Sequence, residues 1–180
     1  MKSIFFLISL FAFQIVEPAE YLPVDSGSKV HFVIKNFGIN TGGDFTGLNG
    51  EIFFDPANVS KSSFNVTIKS STIDTDNELR DKSLKKDYFE SEKYPVIRMA
   101  STKIEKTNKT GEGYYYFTGN LTIKNITKSV SFPFKVEKSN NGYTFSGDFE
   151  INRLDFQVGE NSVVLSNIVK VSLQVTALKK

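Results

Sequence analysis

The chemistry available to this sequence depends on one histidine, because the 180 residues include His31 as the single histidine and no cysteine. A Ser-His-Asp triad needs an imidazole as general base, so His31 is the one candidate. His31 stands on the polar phase of a strand-like segment between Val30 and Phe32, where an ordinary solvent-facing side chain is expected. A metal site built from several histidines is excluded by the count. We therefore predict that the protein is not an enzyme and requires no metal or cofactor.

Carboxylates are concentrated in the segment Asp74-Thr-Asp-Asn-Glu78, which has the acidic spacing of the start of a calcium-binding loop. Such a loop needs glycine where Leu79 stands and a bidentate glutamate where Lys85 stands. Thr75 with Glu78 three residues later has the spacing of a helix capping box. The acids therefore predict a helix start with local caps and ion pairs rather than a metal site.

Nucleic-acid binding is not indicated, although Tyr114-Tyr-Tyr-Phe117 offers an aromatic cluster. The cluster lacks the flanking basic and glycine residues of an RNA-recognition strand. The 22 basic and 20 acidic side chains leave a net charge of +2, without a long block of one sign. A glycine-rich phosphate loop is also missing, so nucleotide-binding folds are not predicted.

The N-terminus has the pattern of a secretory signal peptide, with Lys2 followed by an apolar block over residues 4–13. The block is too short to span a bilayer, so we expect cleavage after Ala19 and no stable membrane insertion. An uncleaved N-terminal anchor is the alternative, because Glu17 fits the cleavage rule poorly. Without cysteine the exported chain has neither a disulfide nor a lipidated cysteine. These features predict a periplasmic or secreted protein with one domain over residues 20–180.

Most of that domain alternates between apolar and polar residues, which is typical of antiparallel strands with one wet face. Eight strands are predicted, near residues 28–37, 45–54, 62–72, 96–105, 114–123, 129–138, 142–152 and 163–177. Turns are expected at Gly42-Gly43 and at residues 140–142. Pro133 falls inside the sixth strand and predicts that this strand is peripheral or bulged there. The class is all-β, and the pattern allows either a closed antiparallel barrel or a sandwich.

One short helix, near residues 75–89, interrupts the strands. Leu79, Leu84 and Phe89 are expected to form its apolar edge, and Pro95 returns the chain to extended structure. The apolar phase of the strands predicts an interior that is either a packed core or the wall of a slender ligand site. Its members are Phe32, Ile34, Phe54, Phe64, Val66, Ile68, Met99, Phe117, Phe132, Phe134, Phe145, Phe149 and Leu173.

Three ordered motifs stand out along the chain. The first runs from Ile73-Asp-Thr to Tyr94-Pro95, the second is Gly119-Asn-Leu-Thr-Ile-Lys-Asn-Ile-Thr-Lys-Ser-Val130, and the third is Arg153-Leu-Asp-Phe156. Together they resemble the motifs of the YceI-like family, over about Tyr21 to Leu178. The sequence differs from the family pattern at Asn36 and Ser83, usually His, and at Met99, usually Phe.

The resemblance implies an eight-stranded lipocalin-like barrel whose interior binds a long-chain isoprenoid or another lipid. The thirteen interior residues would then be ligand-binding residues. We therefore expect an exported lipid carrier that binds no nucleic acid, and the sequence leaves a homodimer open. The alternative is a filled barrel that acts as a stress-response or protein-interaction module without a ligand.

Overall fold

The computed structural model describes residues 19–107 and 113–180, and strands dominate this part of the chain. The predicted signal peptide, apart from Ala19, lies outside the described residues. Within these residues, a single α-helix, α1 (Glu78–Ser83), continues into a π-helical turn over Leu84–Tyr88. Short 3-10 helices cover Val59–Lys61, Ser70–Thr72 and Arg153–Phe156. The strands are β1 (Ala19–Asn36), β2 (Ile39–Phe45), β3 (Asn49–Phe54), β4 (Ser63–Lys69), β5 (Val96–Lys106), β6 (Tyr114–Ile123), β7 (Ile126–Ser139), β8 (Gly142–Asn152) and β9 (Leu165–Lys179).

The strands form one antiparallel sheet that closes on itself, because β1 pairs with β9 from Tyr21↔Lys179 to Asn36↔Leu165. β2 and β3 lie end to end along the other edge of β1, which pairs Val30 with Phe45 and Tyr21 with Ile52. β2 and β3 together occupy one strand position of the barrel, so the nine strands of the described residues form an eight-stranded barrel. The predicted all-β, eight-stranded antiparallel barrel is confirmed, and closure removes the sheet edges that a sandwich would leave.

The first two predicted strands are longer than expected, and the turn predicted at Gly42-Gly43 is wrong. β1 begins at Ala19 rather than residue 28, and the strand position formed by β2 and β3 begins at Ile39 rather than residue 45. Both glycines lie inside β2, where a Cβ on Gly43 would stand 2.7 Å from the Phe32 ring. The missing side chains of the two glycines therefore allow residues of β1 to approach β2 closely. The turn occurs at residues 37–38 instead.

The predicted helix exists, but its cap and its apolar edge differ from the prediction. Asn77, not Thr75, caps the helix and accepts a hydrogen bond from the Arg80 N–H. The Phe89 N–H donates to the Leu84 carbonyl at 2.8 Å, a π-type bond that places these two residues on one side. Leu79 lies in the α-helical part, five residues or about 1.4 turns before Leu84. It therefore falls on a different face and is 83% exposed.

Pro133 marks the place where β7 leaves β8, as predicted for a peripheral strand position. Pro133 pairs with Tyr116 of β6, whereas pairing with β8 starts only at Phe134. The space between the separated ends of β7 and β8 is filled by the Arg153–Phe156 turn. Phe156 is buried there against Leu121, Ile123 and neighbouring apolar side chains.

The two ends of the barrel differ in what fills them. One end, which we name the closed end, contains residues 55–62 and the 140–141 turn, and Tyr21, Phe54, Tyr115 and Tyr143 pack across the interior there. These four side chains form what we term the aromatic floor. The opposite or open end carries the 37–38 turn, the helical segment 70–95, the 124–125 turn and the 153–164 connection. Those connections surround an interior that is not filled.

Candidate binding cavity

An apolar cavity of about 910 Å³ runs from the middle of the barrel to the open end. Its volume falls in the range of roughly 300–1,000 Å³ that is common for small-molecule sites. The innermost wall includes Ile52, Phe64, Phe134 and Phe145, whose other sides pack toward the aromatic floor. At the open end the lining passes to residues of the helical segment and the 153–164 connection. Among the described residues, the cavity is therefore a tunnel that ends at the aromatic floor and opens at the opposite end.

Twelve of the thirteen predicted interior residues line this cavity, and Phe54 does not. Phe54 is 2% exposed and packs edge-to-face on Phe64, Tyr115, Tyr143 and Phe145 at ring distances of 5.2–6.5 Å. It belongs to the floor below the cavity, so the structure does not place it where a ligand could touch it. Ligand contact by the other residues stays a prediction.

A stack of three phenylalanine rings forms one wall of the cavity. Phe132 lies 5.0 Å from Phe117 and 4.6 Å from Phe149, with interplanar angles of 25° and 15°. The three residues belong to adjacent strands β7, β6 and β8, and all three line the cavity. The stack thus presents a nearly continuous aromatic surface to the interior.

The residues that build the entrance were not predicted as site residues. Leu84, Tyr88 and Phe89 line it from the helical segment. Val158 and Val164 line it from the 153–164 connection, and Leu165 lines it from the start of β9. The apolar edge Leu84 and Phe89 was the one sequence signal for the helical contribution. Asn36 and Ser83, where the family usually has His, and Met99 also line the cavity, so the wall contains no imidazole at those two positions.

Arg153 organises the connection beside the entrance. It is 3% exposed, and its guanidinium donates to the carbonyls of Ser166 at 3.0 Å and Val158 at 2.9 Å and to Asn167 Oδ1 at 3.1 Å. Burial lowers the pKa of Arg153 from its ordinary value, and the nearby Tyr88 acts in the opposite direction. Arginine nevertheless stays charged in proteins, so all three bonds are charge-assisted. Arg153 therefore holds both ends of the connection together.

Contacts between neighbouring connections close a ring around the entrance. The Phe37 N–H donates to the Val164 carbonyl at 2.8 Å, and Asp44 and Asp74 exchange backbone hydrogen bonds of 2.8 and 3.0 Å. Lys124 forms an ion pair with Glu90 and donates to the Gln157 carbonyl at 2.9 Å. The entrance is thus framed by elements that support one another.

Arg80 and Asp81 anchor the helical segment through Thr75. Arg80 Nε and Nη2 donate to Thr75 Oγ1 at 2.7 Å and to the Thr75 carbonyl at 2.5 Å. Asp81 Oδ1 accepts from the Thr75 N–H at 3.0 Å and from its hydroxyl at 2.5 Å. Hydrogen bonds to Thr75 thus replace the ion pairs with neighbouring acids that the sequence suggested.

Replacing Arg80 with alanine should lower the free energy of unfolding by about 1–3 kcal/mol, since two buried oxygens of Thr75 lose a charged donor. Chemical denaturation of Arg80→Ala beside Lys82→Ala, an exposed position on the same helix, measures the difference. Lys82→Ala should stay within about 0.5 kcal/mol of the wild type. Unchanged stability in Arg80→Ala together with lost ligand binding would show that Arg80 contacts the ligand instead.

The titratable groups offer little catalytic chemistry. His31 Nδ1 lies 2.8 Å from Asp44 Oδ1, and in residues 19–107 and 113–180 it has no hydrogen bond to a serine hydroxyl. Burial raises the pKa of Tyr21 and of Tyr115, so these two phenols stay neutral at ordinary pH. Among the described residues, no group of three or more His, Asp or Glu side chains is placed to hold a metal ion. The helices in the same part of the chain are too short or too polar to cross a membrane.

Comparison with known proteins agrees with this architecture. A UPF0312 protein of Yersinia enterocolitica is 30% identical over 158 residues, which cover 83% of this chain and 80% of that protein. The crystal structure of Burkholderia cenocepacia BcnA aligns with a TM-score of 0.76 and 28% identity, covering 83% of this chain and 96% of BcnA.

A polyisoprenoid-binding domain from Saccharophagus degradans, implicated in plant cell wall breakdown, aligns with a TM-score of 0.70 over 91% of this chain and 100% of that domain. At 13% identity it shows a shared fold. The profile of the YceI-like domain matches residues 22–177, nearly the whole barrel. The chain therefore belongs to the YceI-like family.

Proposed function

We propose that this protein is a carrier that holds the apolar chain of an isoprenoid, or of another long-chain lipid, inside its barrel. The observation that carries the proposal is the apolar cavity of about 910 Å³, with the aromatic floor beneath it and a framed entrance at the open end. The Saccharophagus degradans domain of the same fold, described as polyisoprenoid-binding, supports this choice of ligand. A barrel filled throughout, the alternative from the sequence, does not match a cavity of this size.

Binding would be driven by transfer of the lipid chain out of water, which favours burial by about 0.8 kcal/mol for each CH₂. Every wall of the tunnel contributes apolar side chains, and the phenylalanine stack provides a flat surface for an unsaturated chain. A polar head group would remain at the entrance, beside the helical segment. The floor limits how far a chain can enter, so chain length should influence affinity.

Such a role needs binding and release rather than covalent chemistry, so we propose that the protein acts without catalysis. We also propose that it works in the periplasm or outside the cell. The support for this location is the basic start and the apolar block over residues 4–13. A carrier in that compartment would move a lipid through water without becoming a membrane protein itself.

The test of the cavity is a pair of variants on β7, Phe132→Leu and Ser131→Leu. Phe132 is buried in the cavity wall, whereas its neighbour Ser131 is exposed on the outer face. Phe132→Leu trims the phenylalanine stack and should weaken long-chain lipid retention about threefold to tenfold, corresponding to roughly 1 kcal/mol. Ser131→Leu should retain as much lipid as the wild type.

Lipid that copurifies with each variant is quantified by extraction and mass spectrometry, and denaturation curves confirm that both variants are folded. Equal retention by both variants at unchanged stability would contradict a ligand in the cavity. That result would instead favour a role in protein interaction.

A further inference from the structure

The four most exposed large apolar residues of the described chain all lie at the open end, on the 37–38 turn, the first residue of β2, helix α1 and the 153–164 connection. Val163 is 103% exposed, Leu79 83%, Phe37 74% and Ile39 70%. The other exposed apolar side chains, which range from 38% to 48%, belong to strands: Leu22, Val96, Tyr116, Ile168 and Leu178. Isolated exposed apolar residues are ordinary in proteins. A concentration of the most exposed ones around one entrance indicates an interaction site.

Phe37 has a backbone conformation that is unusual for a bulky residue. Phe37 and Gly38 have φ angles of 49° and 77°, so they form a two-residue hairpin turn with both central residues left-handed. Asn-Gly is the preferred pair for such a turn, and a bulky residue there is an outlier. Phe37 gains little packing in return, since most of its side chain faces solvent. A strained position that exposes an aromatic ring points to contact with something outside the protein.

The exposed side chains are continuous with the apolar wall of the cavity. The Phe37 N–H donates a hydrogen bond to the carbonyl of Val164, the neighbour of Val163. Val164 and Ile34 both line the cavity near this turn. An apolar path therefore leads from the tunnel to the tips of the 37–38 turn and the 153–164 connection. A lipid chain could follow this path with little exposure to water.

The charges around the entrance favour neither a strongly positive nor a strongly negative binding partner. Residues 36–41 carry no charge, and Glu160 is the single charged residue of the segment 157–164. On the helical segment, the exposed side chains are mixed in sign and carry an excess of only two negative charges: Asp74, Asp76, Glu78, Asp87 and Glu92 against Lys82, Lys86 and Lys93. Attraction to a strongly charged protein or to anionic head groups is therefore not what this surface provides.

We infer that the open end docks on a lipid bilayer, with Phe37, Ile39, Val163 and Leu79 inserted into its interface. This inference rests on the proposed lipid-carrier function, because a long-chain lipid resides in a bilayer and must pass between it and the tunnel. Single apolar side chains on separate tips suit a fluid partner, whereas a stable protein interface needs about 800 Å² of complementary surface on each side. The apolar tips supply the affinity, and the small net charge of the open end gives little attraction to anionic lipids.

The test is flotation of the purified protein with phosphatidylcholine vesicles, using Phe37→Asn as the main variant. Asparagine suits a left-handed turn position, so Phe37→Asn should be at least as stable as the wild type. It should nevertheless reduce vesicle partitioning about tenfold, and addition of Ile39→Ser should reduce it further. Leu178→Ser, at an exposed leucine of the closed end, is the matched control and should partition like the wild type.

Uptake of a dansyl-labelled farnesyl probe from aqueous solution separates docking from the cavity. Phe37→Asn should take up the probe as the wild type does, because the variant leaves the tunnel intact. Vesicle partitioning that is absent in the wild type, or unchanged in Phe37→Asn, would overturn the docking inference. Partitioning that requires anionic phosphatidylglycerol and is lost in high salt would overturn it as well. Failure of the wild type to take up the probe would instead contradict the proposed function.

Discussion

A Phe54→Ala variant is expected to lose about 3–5 kcal/mol of its free energy of unfolding, the largest stability change predicted for this barrel. Phe54 is almost completely buried, and four aromatic rings surround it at the closed end. Truncation removes its apolar transfer energy and leaves a void that the ring cluster can refill only in part. A urea titration should show a lower midpoint with an unchanged slope.

Tyr116→Ala is the control, because Tyr116 is an aromatic residue on the outer face of β6. That variant should stay within about 0.5 kcal/mol of the wild type. If Phe54→Ala does not fold well enough to titrate, Phe54→Leu should still lose about 1 kcal/mol. Probe uptake by Phe54→Leu should remain, since Phe54 does not line the cavity. An equal loss in the Phe54 and Tyr116 variants would refute the aromatic floor.

The largest binding effect is expected from Leu173→Glu, which should weaken uptake of the farnesyl probe by about 100-fold or more. Leu173 lines the cavity on β9, so the substitution places an unpaired carboxylate where the lipid chain would lie. The Leu173 side chain is only half-buried, so water can reach a carboxylate at this position and the fold should persist. Lower pH should restore part of the binding, because protonation removes the charge.

Ser172→Glu adds the same charge one residue away, on the exposed face of the same strand. It should bind the probe within about twofold of the wild type, an effect below roughly 0.5 kcal/mol. Fluorescence titration of both variants gives the comparison, and circular dichroism checks their fold. Similar affinity in both variants would show that the ligand does not occupy the cavity.

Alternation along the strands predicted the barrel class and the inward face, but not the depth of each residue. Phe54 and Phe64 both occupy the apolar phase, yet Phe64 lines the cavity and Phe54 lies in the floor. The difference depends on Tyr21, which closes the barrel from a part of β1 that the pattern did not identify as strand. Alternation with a period of two predicts which face of the sheet a side chain lies on. It does not predict which side chains from other strands pack above or below that residue.

The entrance was less predictable because its elements have no strand or helix period. Arg153 reaches acceptors in Val158, Ser166 and Asn167, a set that exists only after the connection has folded over the barrel. Leu79 was assigned to the wrong side because a spacing of five residues matches the π-helical turn from Leu84 to Phe89, whereas Leu79 lies in the α-helical part, where that spacing leads to a different face. The left-handed backbone at Phe37 could not be predicted, since sequence statistics place asparagine or glycine there.

If the hollow barrel carries a long-chain lipid, as we propose, that lipid should copurify with the protein. Protein purified without detergent is extracted with organic solvent, and the extract is quantified by mass spectrometry against the protein concentration, with Leu173→Glu treated identically. We expect close to one isoprenoid or other long-chain lipid for each wild-type chain and far less for Leu173→Glu. An extract of the wild type without such a lipid, from protein that also fails to take up the farnesyl probe, would contradict the lipid-carrier function.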